Sequence, residues 1–255
     1  TVSPEVYFEV KDLLLTASEK VILDHISLKI HKGEILGIAG VEGNGQTELI
    51  RCLTGLQKPD TMELIVDGEA VTGNASDFIR QGIGHVPEDR LGTAVVENDS
   101  ISTNLMLGYH FKERFRKGRW MDYNKADTFG NECIETYSIK APSSKTTIAE
   151  MSGGNQQKVV VAKWLARNSR VVIFDEPTRG IDVAAKVEIY NLMNQLKQNG
   201  IGVMFVSSEM PEVLGMSDRI LVMCDGRITG EFNASEATQD KILTSATRFE
   251  QKAVS

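Results

Sequence analysis

The chain has 255 residues, of which 41% are hydrophobic, and carries a formal net charge of −7. Its length and composition suit one large α/β domain, or a core that carries an inserted subdomain. The acidic balance disfavours a general nucleic-acid binder, because neutralising a phosphate backbone requires clustered excess cations, and no apolar run approaches the roughly 18 residues of a membrane span.

The first 86 residues predict a small antiparallel sheet beside the first strand of a parallel core. Alternation of polar and apolar residues indicates half-buried strands, and the pair Asp67-Gly68 marks a hairpin. The expected strands are residues 7–10, 26–30, 35–39, 64–66 and 83–86, with a short helix at 75–81.

A mostly helical insertion is expected from residue 87 to about residue 147, where charges and aromatics mix with weak periodicity. The basic run at 111–120 indicates a solvated face rather than a nucleic-acid patch. Docking to a partner protein is the functional alternative for this run.

A stronger pattern returns after residue 155. Continuous apolar runs of four residues are typical of buried parallel strands, and Asn199-Gly200 is a helix stop signal. Strands that alternate with helices imply a doubly wound parallel sheet. The expected elements are helices at 155–167 and 183–198, strands at 171–174 and 203–206, a hairpin from 220–223 through Asp225-Gly226, and a polar surface tail after Glu236.

The three cysteines, Cys52, Cys133 and Cys224, have no metal-ligand spacing and no even framework, so we expect reduced intracellular thiols. Thr1 stands where an initiating methionine would be, and no signal peptide precedes the first strand. These observations lead us to expect a soluble, cytosolic fragment of a longer chain.

A glycine-rich loop joins the strand at 35–39 to an amphipathic helix that includes Leu56, an arrangement that favours phosphate binding. Gly40, Gly43 and Gly45 allow the backbone to turn tightly and to aim its N–H groups at phosphate oxygens.

The loop approaches the pattern G-x-x-x-x-G-K-[ST] but carries Gln46 in place of the lysine. The adjacent Thr47 keeps a hydroxyl that Mg²⁺ could use. The missing ammonium should cost about 1.5–3 kcal/mol, so binding is weakened rather than abolished. An ordinary glycine-rich turn is the alternative.

Two carboxylates, Asp175 and Glu176, follow the strand at 171–174, and the carboxyl ends of strands are where open α/β sheets bind ligands. Asp175 is placed to hold magnesium through water, and Glu176 to polarise an attacking water. A strand that simply ends in solvated acids is the alternative, and the glycine loop argues against it.

The string Met151-Ser-Gly-Gly-Asn-Gln-Gln-Lys158 places a Ser-Gly-Gly cap at the start of a helix, where unpaired N–H groups form a second anion site or a plain N-cap. It resembles the Leu-Ser-Gly-Gly-Gln signature of ATP-binding cassette (ABC) ATPases, with Met151 for leucine and Asn155 for glutamine. In that family the loop contacts the γ-phosphate of ATP held by the opposite cassette of a head-to-tail dimer.

The resemblance covers nearly the whole chain but departs from the family at functional positions. Pro177-Thr-Arg-Gly-Ile-Asp182 is similar to the dimer-contact loop. Glu88 stands where a glutamine opens the helical subdomain, and Ser208 where a switch histidine follows a strand. No aromatic near 15–18 replaces the base-stacking tyrosine. The chain's histidines are expected to be structural or surface residues: His25, His31, His85 and His110.

The motif set as a whole is most similar to the C-terminal cassette of tandem ATPase subunits that drive bacterial uptake of ribose, galactose, xylose and related sugars. This resemblance implies an α/β fold with a RecA-like P-loop NTPase core, an antiparallel β-subdomain and a helical insertion. It divides the chain into a core at 1–86 and 160–255 and a helical subdomain at about 87–159.

The same resemblance implies ATP and Mg²⁺ as cofactors and a position on the inner face of the cell membrane. The implied partners are an N-terminal cassette of the same subunit, a transmembrane permease and, indirectly, a periplasmic or lipoprotein sugar-binding protein, but no nucleic acid. The implied nucleotide contacts are Gly40, Gly43, Asn44, Gly45, Gln46, Thr47, Glu48, Ser152, Gly153 and Gly154, the metal ligands Thr47 and Asp175, and the catalytic positions Glu176, Ser208 and Glu88.

Three alternatives remain open at this point. A regulatory half could bind nucleotide without hydrolysing it, an interpretation that Gln46, Glu88 and Ser208 favour and the retained Asp175 and Glu176 disfavour. Related tandem subunits serve nucleoside importers. A cassette ATPase of DNA repair or translation is disfavoured by the acidic charge and by the motif set.

Overall fold

The computed structural model describes residues 2–41, 43–89, 94–107, 115–117 and 120–247. The strands are β1 (Val6–Ala17), β2 (Lys20–His31), β3 (Ile35–Gly40), β4 (Thr61–Val66), β5 (Glu69–Ala70), β6 (Ile83–Val86), β7 (Arg116–Lys117), β8 (Trp120–Met121), β9 (Val171–Asp175), β10 (Gly202–Val206), β11 (Arg219–Cys224) and β12 (Arg227–Asn233). The helices are α1 (Gln46–Leu53), α2 (Ala75–Arg80), α3 (Ile101–Met106), α4 (Tyr123–Thr136), α5 (Gly153–Leu165), α6 (Val183–Gln198), α7 (Met210–Met216) and α8 (Gln239–Ala246).

The chain divides into two compact units. The first contains Thr1–His85, Asn168–Glu176 and Met193–Ser255, and the second contains Val86–Arg167 and Pro177–Leu192. Among the described residues, no helix combines the length and the apolar character that a membrane crossing requires.

A mostly parallel sheet forms the core of the first unit, with the order β12-β11-β3-β10-β9-β6 over the described residues and with β12 antiparallel to β11. β10 pairs in parallel with β3 and β9, and β11 pairs in parallel with β3. Every residue of β10 and the first four residues of β9 are buried. The continuous apolar runs therefore did predict central strands, because a strand covered on both faces has no polar side to present.

An antiparallel sheet of order β2-β1-β4-β5 lies in the same unit and confirms the predicted β-subdomain. β1 and β2 are each 12 residues long, well beyond the predicted segments. Their register shifts at bulges, and Asp12 and His25 have φ values of 52° and 51° there. Each bulge flips the alternation of side chains, so the period-2 pattern covers only part of each strand.

Both Asp-Gly pairs form the predicted hairpin turns. Asp67 and Gly68 have φ values of 51° and 81°, and Asp225 and Gly226 have 46° and 71°. Two consecutive positive φ values match the right-handed twist of the strands that the turn joins.

Two helix predictions were wrong in their limits. α1 ends at Leu53, and Leu56, which was expected on its apolar face, is 53% exposed. Gly55 at φ 72° turns the chain there, and the N–H of Leu56 donates back to the carbonyl of Arg51 at 2.9 Å, a typical glycine-based helix end. α5 begins at Gly153, two residues before the predicted start.

The second unit contains the predicted helical insertion, but a short hairpin interrupts it. β7 and β8 pair antiparallel within the basic run that was expected to be helical; residues 111–114 and 118–119 of that run lie outside the described residues. Trp120 at the hairpin is 81% exposed. The buried side chain of Asn104 joins α3 to the preceding loop by donating to the carbonyl of Val96 at 3.0 Å and accepting from its N–H at 2.7 Å.

The ion pair between the buried Glu34 and Arg219 connects the two sheets of the first unit. Glu34 is 1% exposed, and Arg219 donates to its Oε1 at 2.8 Å and to its Oε2 at 3.2 Å. Arg219 also donates to Glu231 at 2.6 Å and to the carbonyl of Lys29 at 2.6 Å. The network joins β2, β11 and β12 to the turn that precedes β3.

Candidate functional site

The glycine loop between β3 and α1 has the backbone that phosphate binding requires. Gly43 and Gly45 have φ values of 91° and 97°, and Gly45 is the N-cap of α1. Gly40 lacks a positive φ but has no room for a side chain, because a Cβ there would lie 2.8 Å from the carbonyl oxygen of Met223. Gly43 and Gly45 therefore make the tight turns that were expected of all three glycines. Gly40 instead allows the backbone of Met223 to approach closely.

Gln46, which replaces the lysine of the phosphate-loop pattern, lies over the loop itself. Its Nε2 donates to the carbonyl of Val41 at 3.2 Å. Thr47 is exposed in the first turn of α1, and the half-buried Glu48 follows it. The loop therefore keeps the hydroxyl of Thr47 but lacks a lysine ammonium. The side-chain amide of Gln46 is hydrogen-bonded to the backbone of the loop itself.

Asn44 fastens the loop to the hairpin of β11 and β12. Its Oδ1 accepts from the N–H of Asp225 at 3.1 Å, and its backbone carbonyl accepts from the N–H of Gly226 at 3.1 Å. The hairpin is itself closely packed, since a Cβ at Gly226 would lie 2.0 Å from the carbonyl oxygen of Ile22. The sequence analysis assigned Asn44 to nucleotide contact and missed this support, because the partners are 181 residues apart.

The carboxyl end of β9 lies two strands from the loop. Val206 of β10 is paired with Ile38 on one side and with Asp175 on the other. Neighbouring strands are about 4.8 Å apart, which places the backbone of Asp175 about 10 Å from that of Ile38. The sheet therefore brings the loop and the acidic pair to the same edge.

Glu176 and Ser208, both predicted as catalytic positions, are hydrogen-bonded to each other. The N–H of Ser208 donates to Oε1 of Glu176 at 2.6 Å, and its hydroxyl donates to Oε2 at 3.3 Å. Glu176 has a φ of 44°, in the left-handed region, and its N–H donates to the carbonyl of Val206 at 3.0 Å. Ser208 therefore contacts both carboxylate oxygens of Glu176.

His85 and His25 have the structural and surface surroundings that the sequence predicted for them. His85 is largely buried, and its burial lowers its pKa to about 4, so it is neutral near pH 7. His25 is exposed and is hydrogen-bonded through Nδ1 to Asp12, which raises its pKa. His110 lies outside the described residues.

The signature segment opens α5 in the second unit, with Ser152 as the N-cap. In α2, α3, α4 and α8 the N-cap side chain accepts a hydrogen bond from an N–H of the first turn. Ser152 makes no such bond, and its Oγ accepts instead from Nδ2 of Asn155 at 2.9 Å. Asn155 in turn accepts from the N–H of Lys140 at 2.8 Å. The cap side chain thus leaves the N–H groups of the first turn available to an anion.

Gly154 is the signature residue that has a steric reason to be glycine. A Cβ at this position would lie 2.7 Å from the Cβ of Ala185, in the first turn of α6. The start of α5 is therefore packed directly on the start of α6.

Glu88, the third predicted catalytic position, is paired with Arg179. Nη1 of Arg179 lies 2.5 Å from Oε1 of Glu88. Both residues belong to the second unit.

Two comparisons show the family of this chain. The family model described as "ABC transporter" matches residues 23–179. The chain belongs to the ABC transporter family. It is 45% identical over 252 residues to a ribose import ATP-binding protein of Rubrobacter xylanophilus, a match that covers 98% of this chain and 49% of that protein. It is 44% identical over 248 residues to a xylose import ATP-binding protein of Thermoanaerobacter pseudethanolicus, with 95% and 49% covered.

Solved ABC cassettes share the fold. A nucleotide-free ATP-binding cassette from an ABC transporter superposes with a TM-score of 0.76 at 20% identity, covering 94% of this chain and 95% of that one. A bacterial ABC transporter cassette described as dimeric superposes with a TM-score of 0.73 at 23% identity, covering 89% and 98%. The predicted α/β fold with a RecA-like P-loop core is thereby confirmed, and the chain spans about half the length of the curated relatives it matches.

The residues of the first unit suit the ATP that the ABC family binds. The loop amides and the Cβ-free approach at Gly40 suit phosphate, and Thr47 with Asp175 offers oxygen ligands to Mg²⁺. No group of three or more His, Cys, Asp or Glu that could hold a metal occurs in the described part of the chain. Mg²⁺ usually takes one or two protein oxygens together with phosphates and water, and Thr47 and Asp175 could supply that number.

Proposed function

We propose that this chain is the C-terminal cassette of a tandem ATP-binding subunit that energises import of a monosaccharide. Its own nucleotide site is degenerate, and its signature serves the N-terminal cassette of the same subunit. The curated relatives are about twice as long as the matched region, which leaves room for a second cassette of this size.

The observation that carries the proposal is the contrast between the two anion-binding surfaces. The signature keeps Ser152, Gly153 and Gly154 and has a cap that leaves the helix amides available. The chain's own site lacks the loop lysine at Gln46 and the switch histidine at Ser208. An intact signature beside an altered nucleotide site is what a division of labour between two cassettes predicts.

In this proposal ATP supplies the phosphoanhydride bond, and the chain's residues bind and orient it. The loop amides would hold phosphate oxygens, Thr47 and Asp175 would hold Mg²⁺, and Glu176 is placed to accept a proton from water. The contacts with Ser208 direct both oxygens of Glu176 towards the β10 end, which lowers its availability as a base.

The remaining assignments follow from the same proposal. The partners are a permease dimer and, indirectly, an external sugar-binding protein, and the subunit lies on the inner face of the cell membrane. The permease and binding protein select the sugar. We assign residues 1–86 and 160–255 to the nucleotide-binding core and about 87–159 to the helical subdomain, a functional division that differs from the two compact units, which place 160–167 and Pro177–Leu192 in the second.

Gln46→Lys is expected to tighten binding of Mg-ATP to this cassette. The ammonium supplies the charge-assisted hydrogen bond that the amide lacks, worth about 1.5–3 kcal/mol or a ten- to hundredfold lower Kd. The measurement is equilibrium binding to the full-length subunit with the other cassette's nucleotide site disabled. Gln46→Met, which removes the bond to Val41 without adding charge, is the control and should not tighten binding. Equal affinities of the lysine and glutamine forms would contradict a charge defect in this loop.

Glu176→Gln is expected to change transport by the complete importer by less than about twofold, because a site that does not turn over loses little when its base is removed. The equivalent substitution in the partner cassette should arrest transport. Single-turnover hydrolysis and sugar uptake are measured on both variants. Equal losses would show that this half hydrolyses ATP in the transport cycle, which would refute the division of labour.

A further inference from the structure

Glu88 and Arg179 link two loops of the second unit that are far apart in sequence. Glu88 follows the strand β6 by two residues, and Arg179 lies in the turn between β9 and α6, 91 residues later. The pair is close, at 2.5 Å, although its side chains are 45% and 60% exposed. Because exposed ion pairs are screened by solvent, its effect on stability is small, and its importance lies in what it positions.

The turn that carries Arg179 is continuous with α6. Thr178 is buried at 1% exposure, and its carbonyl accepts from the N–H of Ile181 at 3.4 Å. Asp182 caps α6 by accepting from the N–H of Ala185 at 3.0 Å. A displacement of the turn is therefore transmitted to the first turn of the helix.

α6 in turn holds the start of α5. Gly154 packs against Ala185 with no space for a methyl group. Further along, the buried Lys158 lies 3.0 Å from Glu188 of α6 and donates to the carbonyl of Ser138 at 2.8 Å. The signature residues at the beginning of α5 thus keep their place only if α6 keeps its own.

We propose that Glu88 is a positioning residue for the signature. Through Arg179 it holds the 178–182 turn, and with it α6 and the N-terminus of α5. In this interpretation Glu88 has a structural role of its own and is not merely a catalytic glutamine that has lost its function. That the positioned signature acts on ATP bound by the partner cassette rests on the proposed function. The structural link from Glu88 to α5 is independent of it.

The two interpretations of Glu88 predict opposite results for Glu88→Gln. If Glu88 is a decayed catalytic glutamine, restoring the amide raises activity. If it positions the signature, the amide loses the charge of the ion pair, because hydrogen bonds between two ionised groups are stronger than those with a neutral partner. Activity then falls.

The test uses the full-length subunit assembled with its permease. Glu88→Gln and Arg179→Gln are each expected to lower kcat for ATP hydrolysis about two- to fivefold, the range that loss of an exposed ion pair allows, with unchanged unfolding midpoints. The charge swap Glu88→Arg with Arg179→Glu should restore kcat to that of the native subunit. The matched control is Lys11→Gln, which breaks the similarly exposed pair with Glu63 at 3.1 Å and should leave kcat unaltered.

A second readout separates this inference from the proposed function. The N–H of Gln156 donates to the carbonyl of Ser152 at 2.9 Å, and its hydrogen exchange reports on the first turn of α5 without any turnover. Exchange there should accelerate in both single variants and recover in the charge swap. Faster exchange with unchanged hydrolysis would refute the proposed function and keep the link. The positioning role would be overturned by unchanged hydrogen exchange in the single variants or by a higher ATPase activity of Glu88→Gln. It would also be overturned if the charge swap were no more active than the two single variants.

Discussion

Gly153→Asp is expected to abolish transport and most ATP hydrolysis by the complete importer while the subunit stays folded. A helix N-terminus carries roughly half a positive charge and unpaired N–H groups. The side chain of Ser152 leaves the amides at the start of α5 available, since its Oγ is bonded to Asn155. A carboxylate placed among these amides occupies the anion site itself and repels phosphate. Removing a preorganised donor of this kind typically lowers turnover about 10²–10³-fold.

The matched comparison is Gln46→Ala, which affects the other anion-binding surface of the same cassette. Its side chain donates to the carbonyl of Val41 within the loop, so the expected loss of turnover by the importer is much smaller. ATPase rates of the purified complex and a circular-dichroism spectrum of each variant decide the matter. If Gln46→Ala proves as damaging as Gly153→Asp, the two surfaces do not have the different roles assigned to them.

Arg219→Met is expected to lower the free energy of unfolding by about 3–5 kcal/mol, the usual cost of leaving one partner of a buried ion pair uncompensated. Glu34 is 1% exposed and receives two hydrogen bonds from this arginine. Adding Glu34→Gln to the variant should recover part of the loss, because the unpaired charge is then gone. Urea unfolding of the full subunit provides the measurement.

The control for this prediction lies at the other end of the same hairpin. Arg227 pairs with Asp24, but its side chain is 53% exposed. Arg227→Met should therefore change the free energy of unfolding by no more than about 1 kcal/mol. Similar losses from both arginine variants would mean that the burial of Glu34 does not determine the cost.

Local sequence patterns predicted those parts of the fold that depend on neighbouring residues. The strands β9 and β10 follow from apolar runs, both Asp-Gly turns from their backbone preference, and the end of α6 from Asn199-Gly200. The turn between β1 and β2 was missed because it uses Ser18 and Glu19, at φ values of 49° and 66°, rather than glycine or asparagine. Its geometry is imposed by strand pairing that no single pair of residues encodes.

The candidate site shows the same limit. The glycine loop and the acidic pair after β9 could be recognised by spacing alone. The contact between Ser208 and Glu176 depends on the adjacency of β9 and β10, and the pairing of Glu88 with Arg179 on a separation of 91 residues. Such partners are chosen by tertiary packing, which a linear pattern does not contain.

The anchoring of Asn44 to Asp225 and Gly226 has a consequence for the order in which the cassette matures. During synthesis the glycine loop leaves the ribosome about 180 residues before the hairpin that holds it. At synthesis rates of about 5–20 residues per second, that interval lasts roughly 9–36 seconds. A nascent chain in this interval has the loop's sequence without its tertiary support, so the loop attains its final form among the last parts of the cassette.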